Sequence, residues 1–289
     1  MVESVPQRRE KKLNQAKRPV FFSTKVVEIY RQTFRLFAEN PTVVLLFFVI
    51  ALLDSLALTL LFLSHSKPVS IVLAPLIRTF YSERFLHYPM NFVILPKIFQ
   101  HAHFLILSVA GLLVTGMVIQ KIEQYTLGRS IATLDAAGVS IKKYPPLLGA
   151  WIVSYGIFMV ALRVMRGLLP NLVWIHLSAD FVLSLCIQSL FAYLLPSIML
   201  SGRGFLRGLG YGLEFGVRNF FVTCSLILAP ILLMSVFAYL RLLTHGFIQI
   251  NPELTLWVLG TGIIVSMIVD MVITSSTTLL YLEKEATKP

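Results

Sequence analysis

The sequence predicts an all-α integral membrane bundle of six transmembrane helices. Amphipathic interfacial helices precede spans 1, 3 and 5, giving three hairpin-like units. Three observations predict this fold. Only 13% of the 289 residues are charged and 56% are hydrophobic, against roughly 25% charged in an average soluble domain. Six stretches approach the about 20 apolar residues needed to cross the hydrocarbon core: 42–63, 102–121, 147–167, 178–200, 220–242 and 254–281. Lysine and arginine are divided unevenly among the connections. With the N-terminus in the cytoplasm, eighteen fall on the inner side and seven on the outer, which predicts cytoplasmic N- and C-termini.

Residues 1–20, MVESVPQRREKKLNQAKRPV, form a basic cytoplasmic tail with no apolar signal-peptide core. Its lysines and arginines suit anionic lipid headgroups. The remainder, 21–289, reads as a single six-helix membrane domain. The first interfacial helix is placed at about 23–39. On a helical wheel Val26, Val27, Ile29, Tyr30, Phe34, Leu36 and Phe37 share one arc. Lys25, Glu28, Arg31, Gln32, Arg35 and Glu39 share the other. That separation describes a helix resting in the membrane interface. Asn40-Pro41 forms the corner, with proline suited to the first turn of span 1.

An outer loop, 64–101, follows. Its apolar pieces SIVLAPLI and MNFVILPKIF are broken by Pro75 and Pro96. They are expected to lie flat on the outer leaflet or to re-enter it in part. The second interfacial helix, about 128–144, ends at Tyr144-Pro145-Pro146, and Gly128, Ala132 and Ala136 recur at four-residue spacing. Spans 3 and 4 read as a hairpin around GLLPNLVWIHLS. The third interfacial helix, about 203–219, places Gly204, Gly208, Gly212 and Gly216 in one stripe. Each glycine inside a helix costs about 1 kcal/mol against alanine. Small residues four apart allow close backbone contact between helices in lipid. The glycine face is therefore expected to pack against a neighbouring span.

The stretch LPSIMLSGRGFLRGLGYGLEFGVRNFFVTCSLIL, residues 195–228, and the sixth span running into TTLLYLEKE carry a family resemblance. With the leading amphipathic helix ending at Asn40-Pro41, they resemble a poorly characterised bacterial group of six-span inner-membrane proteins. That group is related to the membrane domain of glycerophosphodiester phosphodiesterases. The resemblance implies a six-helix domain of unknown molecular role concerned with the envelope or lipids. It does not import phosphodiesterase activity, because the soluble catalytic domain is absent.

Ionisable residues at membrane depth are the first functional candidates. Asp54 lies about 18 Å along span 1 from its inner end, Asp270 near the middle of span 6, and Arg163 toward the outer end of span 3. One reading has Asp54 and Asp270 lining a polar cavity with Arg163 as counter-charge. The favoured reading pairs Asp54 with Arg163, leaves Asp270 to nearby hydroxyls, and uses both to hold the bundle. Gln188 and the run Thr274, Ser275, Ser276, Thr277 and Thr278 are expected to be hydrogen-bond links between helices. His101 and His103 could share a metal only if extended, and spacing fixes no third ligand, so no metal site is expected. Cys186 and Cys224 read as small core residues. The sequence holds no His-Glu-x-x-His, Gly-x-Ser-x-Gly or P-loop pattern. No catalytic residue and no cofactor are assigned.

The net charge of +11 is accounted for by topology, which argues against nucleic acid as a partner. Membrane lipids, including anionic headgroups, and another membrane protein are the partner classes. The expected role is a non-enzymatic scaffold or helper in the bacterial inner membrane. The alternative is a transporter or channel for a lipid or small solute, which would need a continuous polar cavity reaching Asp54 or Asp270.

Overall fold

The computed structural model describes residues 22–80, 90–170, 172–202, 204–247 and 251–286. The basic tail 1–20, Arg84, His87, Arg203 and Lys288 lie outside the described residues, as do the side chains of Arg241 and His245. Every regular element among the described residues is helical. Helix α1 spans Phe22–Glu39 and leads through the single corner residue Asn40 into α2, Pro41–Phe62, the first span. Helix α3, Val69–Phe80, follows on the far side. The second span is built from α4, Met90–Ile106, and α5, Leu112–Thr126, joined by a π-helical turn at Leu107–Gly111. Helix α6, Thr133–Lys142, turns at Lys143 into α7, Tyr144–Leu168, the third span. The fourth span comprises α8, Val173–Phe191, and α9, Leu194–Leu200. Helix α10, Phe205–Arg218, turns at Asn219 into α11, Phe220–Phe247, and α12, Leu254–Ala286, completes the bundle. Six of these helical stretches are long and apolar enough to cross a membrane. The end that carries α1, α6 and α10 is called basal below.

Span 2 begins at Met90 rather than at 102. The expected flat or re-entrant stretch MNFVILPKIF is the opening of a continuous helix. Pro96 sits inside it and leaves one backbone carbonyl without its usual donor. Burial outweighs that loss, because Leu95, Ile98 and Phe99 close onto Leu58 and Leu61 of α2, Ile77 of α3 and Leu259 of α12.

Helix α6 starts at Thr133, later than the expected 128. Gly128, at φ 70°, instead terminates span 2. Its N–H donates to the Tyr125 carbonyl at 3.0 Å and the Arg129 N–H to the Gln124 carbonyl at 2.8 Å. That pair of bonds is a Schellman cap, whose left-handed residue is normally glycine. Of the expected small-residue stripe, only Ala136 is buried.

The amphipathic segments do not lie flat across the spans. Helix α10 runs antiparallel along the basal half of span 4. A Cβ placed on Gly208 would approach Ile198 at 3.0 Å; on Gly212 it would meet Leu194 Cα at 3.0 Å; on Gly216 it would overlap the Leu190 carbonyl. The three contacts step evenly along both chains, so the two axes are nearly aligned. Gly204 stands outside the stripe, preceding the helix with open space around it. Helix α6 runs back along α5 in the same manner. A Cβ on Gly116 would lie 2.8 Å from Ser140 Oγ, and Lys121 Nζ donates to the Ile131 carbonyl at 3.2 Å. Ile29 of α1 packs into one core with Leu280 and Tyr281 of α12, and Leu36 joins Leu279 and Ile122 in a second.

Each of these helices also keeps apolar side chains facing outward. Val27 and Phe34 of α1 are exposed, as are Leu134 and Ile141 of α6, and Leu206 and Val217 of α10. The apolar arc of α1 is thus divided between the bundle and the outside. The charged residues Glu28, Arg31 and Arg35 occupy the remaining face and are exposed.

Candidate functional site

Asp54 sits on the inward face of α2 with Phe47, Ala51, Leu58 and Leu61, and only 3% of it is exposed. Its partner is His103 of α4, not Arg163. Nδ1 of His103 lies 3.0 Å from Asp54 Oδ2, and the imidazole stacks on Phe99 one turn earlier, with centroids 6.0 Å apart. Arg163 is exposed on the half of span 3 away from the basal end. The expected Asp54–Arg163 pair does not form because α2 packs on α4 and α12. Another arginine of α7, Arg166, holds Asp180 of α8 at 2.6 Å.

Asp270 of α12 accepts a hydrogen bond from Ser266 and interacts electrostatically with both His103 and Asp54. Titratable groups from spans 1, 2 and 6 therefore lie within electrostatic reach of one another. Asp54 Oδ1 is buried and has no hydrogen-bond partner. A buried carboxylate oxygen without a donor is costly, so this cluster holds polar capacity that the protein does not itself fill.

The histidine pair fails as a shared ligand for a simple reason. Residues two apart on an α-helix project about 200° apart. His101 Nδ1 turns to the Lys97 carbonyl at 2.7 Å while His103 turns inward. Among the described residues no group of three metal-ligating side chains converges. The hydroxyl run of span 6 also behaves differently from expectation. Thr277 and Thr278 donate to the carbonyls of Ile273 and Thr274 on their own helix, both at 2.7 Å, and Ser276 bonds to the Ile273 carbonyl at 3.3 Å. Back-bonding satisfies these hydroxyls without a second helix.

A separate cavity of about 410 Å³ lies in the basal half of the bundle, between spans 2, 3, 4 and 6. Gln188 lines it with Thr115, Ser154, Tyr155, Thr274 and a wall that includes Trp151, Phe158 and Phe191. Trp151 and Tyr155 stack with rings 5.4 Å apart and 9° from parallel. Neither Asp54 nor Asp270 lines this cavity. Sequence reasoning found Gln188 but not the aromatic wall, which depends on how α7 is rotated.

At the basal surface Glu39 of α1 accepts hydrogen bonds from Tyr125 at 2.5 Å and from Arg35 at 2.6 Å. Those two donors hold its carboxyl below the usual glutamate range, Tyr125 contributing most. Lys143, at the α6–α7 corner, donates to the carbonyls of Ile198 and Met199 at 3.3 and 2.5 Å. Partial burial lowers its pKa, and Glu123 acts in the opposite sense. These contacts tie two of the basal corners to spans 2 and 4. The chain matches no protein-family model, no curated protein and no solved structure.

Proposed function

We propose that this multi-pass protein is a non-enzymatic scaffold or helper in envelope or lipid homeostasis. In this reading it resides in the bacterial inner membrane with both termini in the cytoplasm. The resemblance to the six-span bacterial group points the same way. The observation that carries the reading is the sealed setting of Asp54, nearly inaccessible and closed by His103. A conduction path through that acid would need it open to water. Buried where it is, the pair braces spans 1 and 2. The exposed apolar residues of α1, α6 and α10, beside an excess of basic residues, supply a grip on the anionic inner leaflet.

The alternative is a lipid or small-solute carrier working through Asp54 and Asp270; the cavity at the basal half of spans 2, 3, 4 and 6 reaches neither acid. A deletion strain complemented with variants separates the two readings. For the helper, Asp54→Asn and Asp270→Asn restore membrane lipid composition and envelope integrity as the unaltered protein does. For a carrier working through those acids, both fail. The topology is tested by Arg207→Cys, which a membrane-impermeant thiol reagent should label only after the inner membrane is opened.

A further inference from the structure

We propose that the cavity between spans 2, 3, 4 and 6 is a binding site for an uncharged lipid bearing carbonyl acceptors. The inference does not depend on whether the protein is a helper or a carrier. It rests first on what the lining lacks. Among the described residues no lysine, arginine, histidine, aspartate or glutamate borders the cavity. A phosphate headgroup recognised there would find no cation, and a fatty-acid carboxylate would be stranded without a counter-charge.

The second basis is what the lining offers. The side-chain amide of Gln188 and the hydroxyls of Thr115, Thr274 and Tyr155 border the cavity. None of the four makes a hydrogen bond to another described residue. Gln188 is moreover exposed within a membrane-spanning segment. In lipid an unmet amide is costly, and an acyl chain cannot satisfy it. A ligand that supplies carbonyl oxygens to these donors can.

The third basis is shape. Stacked Trp151 and Tyr155, with Phe158 and Phe191, give the lining aromatic faces beside the polar groups. The volume of about 410 Å³ falls in the usual range of ligand sites, about 300–1,000 Å³. It accommodates a polar head, while a longer tail leaves by the open side. Two lipid classes share this chemistry: a ring-headed isoprenoid quinone and a diacylglycerol.

The test uses the full chain in nanodiscs with Trp174→Phe and Trp257→Phe, so that fluorescence reports Trp151 alone. Titration with a short-tailed quinone should quench it saturably, whereas dioctanoylglycerol should shift it or displace the quinone. Which of the two binds more tightly identifies the class. The pair Gln188→Leu and Thr274→Val should weaken binding about tenfold, the loss expected for two neutral hydrogen bonds, at an unchanged melting temperature. If that pair unfolds, Gln188→Ala alone should weaken binding about threefold. The proposal fails if neither neutral lipid gives a saturable change, if short-chain phosphatidylglycerol binds as tightly, or if folded variants bind unaltered.

Discussion

His103 gives the Asp54 carboxyl its partner, and the pair shows how one side chain fixes the meeting of two spans. Removing one partner of a buried pair leaves the other uncompensated, at a cost of about 3–5 kcal/mol. His103→Leu should therefore lower the melting temperature of the purified protein sharply. His103→Leu combined with Asp54→Leu should recover most of that loss. If the double variant melts no higher than the single, the two side chains are not coupled. This pairing was not legible in the sequence. Span 1 is apolar on every side, so its pattern does not tell which face meets span 2. The helical state of 90–101, part of the expected outer loop, was equally hidden behind Pro96. The glycine stripe was legible, because four-residue spacing is itself the information. Even there the positions are unequal. Gly216→Ala drives a methyl into the Leu190 backbone, and overpacking of this kind costs about 1–3 kcal/mol. Gly204→Ala meets nothing and should melt within error of the parent. Equal effects at the two positions would show that the packed interface is not as described.

At the scale of elements, the three amphipathic segments are helices, as their residue patterns indicate, although the second is shorter than expected and turns at Lys143, before Tyr144-Pro145-Pro146. Their placement is not written in those patterns. Sorting of apolar from charged residues around a helix says that it has an apolar side, but not whether that side meets lipid or protein. Here Ile29 and Leu36 of α1 are buried against protein, while Val27 and Phe34 stay mostly exposed. The clasp on α1 has a definite pH dependence. Glu39 has a depressed pKa in the folded protein, so the contact is present above the ordinary glutamate value of 4.5. It is lost as pH falls below that value through the folded pKa. A spin label on α1 should thus report immobilisation at neutral pH and release in acid. Tyr125→Phe, which removes the largest cause of the depression, should loosen the label at neutral pH and move release to higher pH. A label indifferent to both changes would show that the clasp does not hold α1.

The whole bundle is packed unevenly, and that asymmetry is a property no single helix reveals. Residues 151–170, 174–188 and 232–240, from spans 3, 4 and 5, include no buried side chain among those described. Span 3 buries only Leu147 and Ala150, both in its first two turns. Apolar grooves of about 910 and 650 Å³ run along α7 and α8 there. Hydropathy alone could count these spans but could not rank their attachment, since a lipid-facing leucine and a core leucine look the same in sequence. The far ends of this leaf are tied by Arg166 to Asp180 at 2.6 Å and by Trp174 against Tyr239, ring centroids 5.3 Å apart. Partly exposed ion pairs contribute little to overall stability, about 1 kcal/mol at most, yet they can fix a distance. Arg166→Ala should therefore leave the melting temperature nearly unchanged. It should also lengthen and broaden the separation between spin labels at Val164 and Val182. Trp174→Ala combined with Arg166→Ala should widen the distribution further, because the two ties act on different helix pairs. An unaltered distribution in the double variant would mean that lipid packing, rather than these side chains, sets the spacing of the leaf.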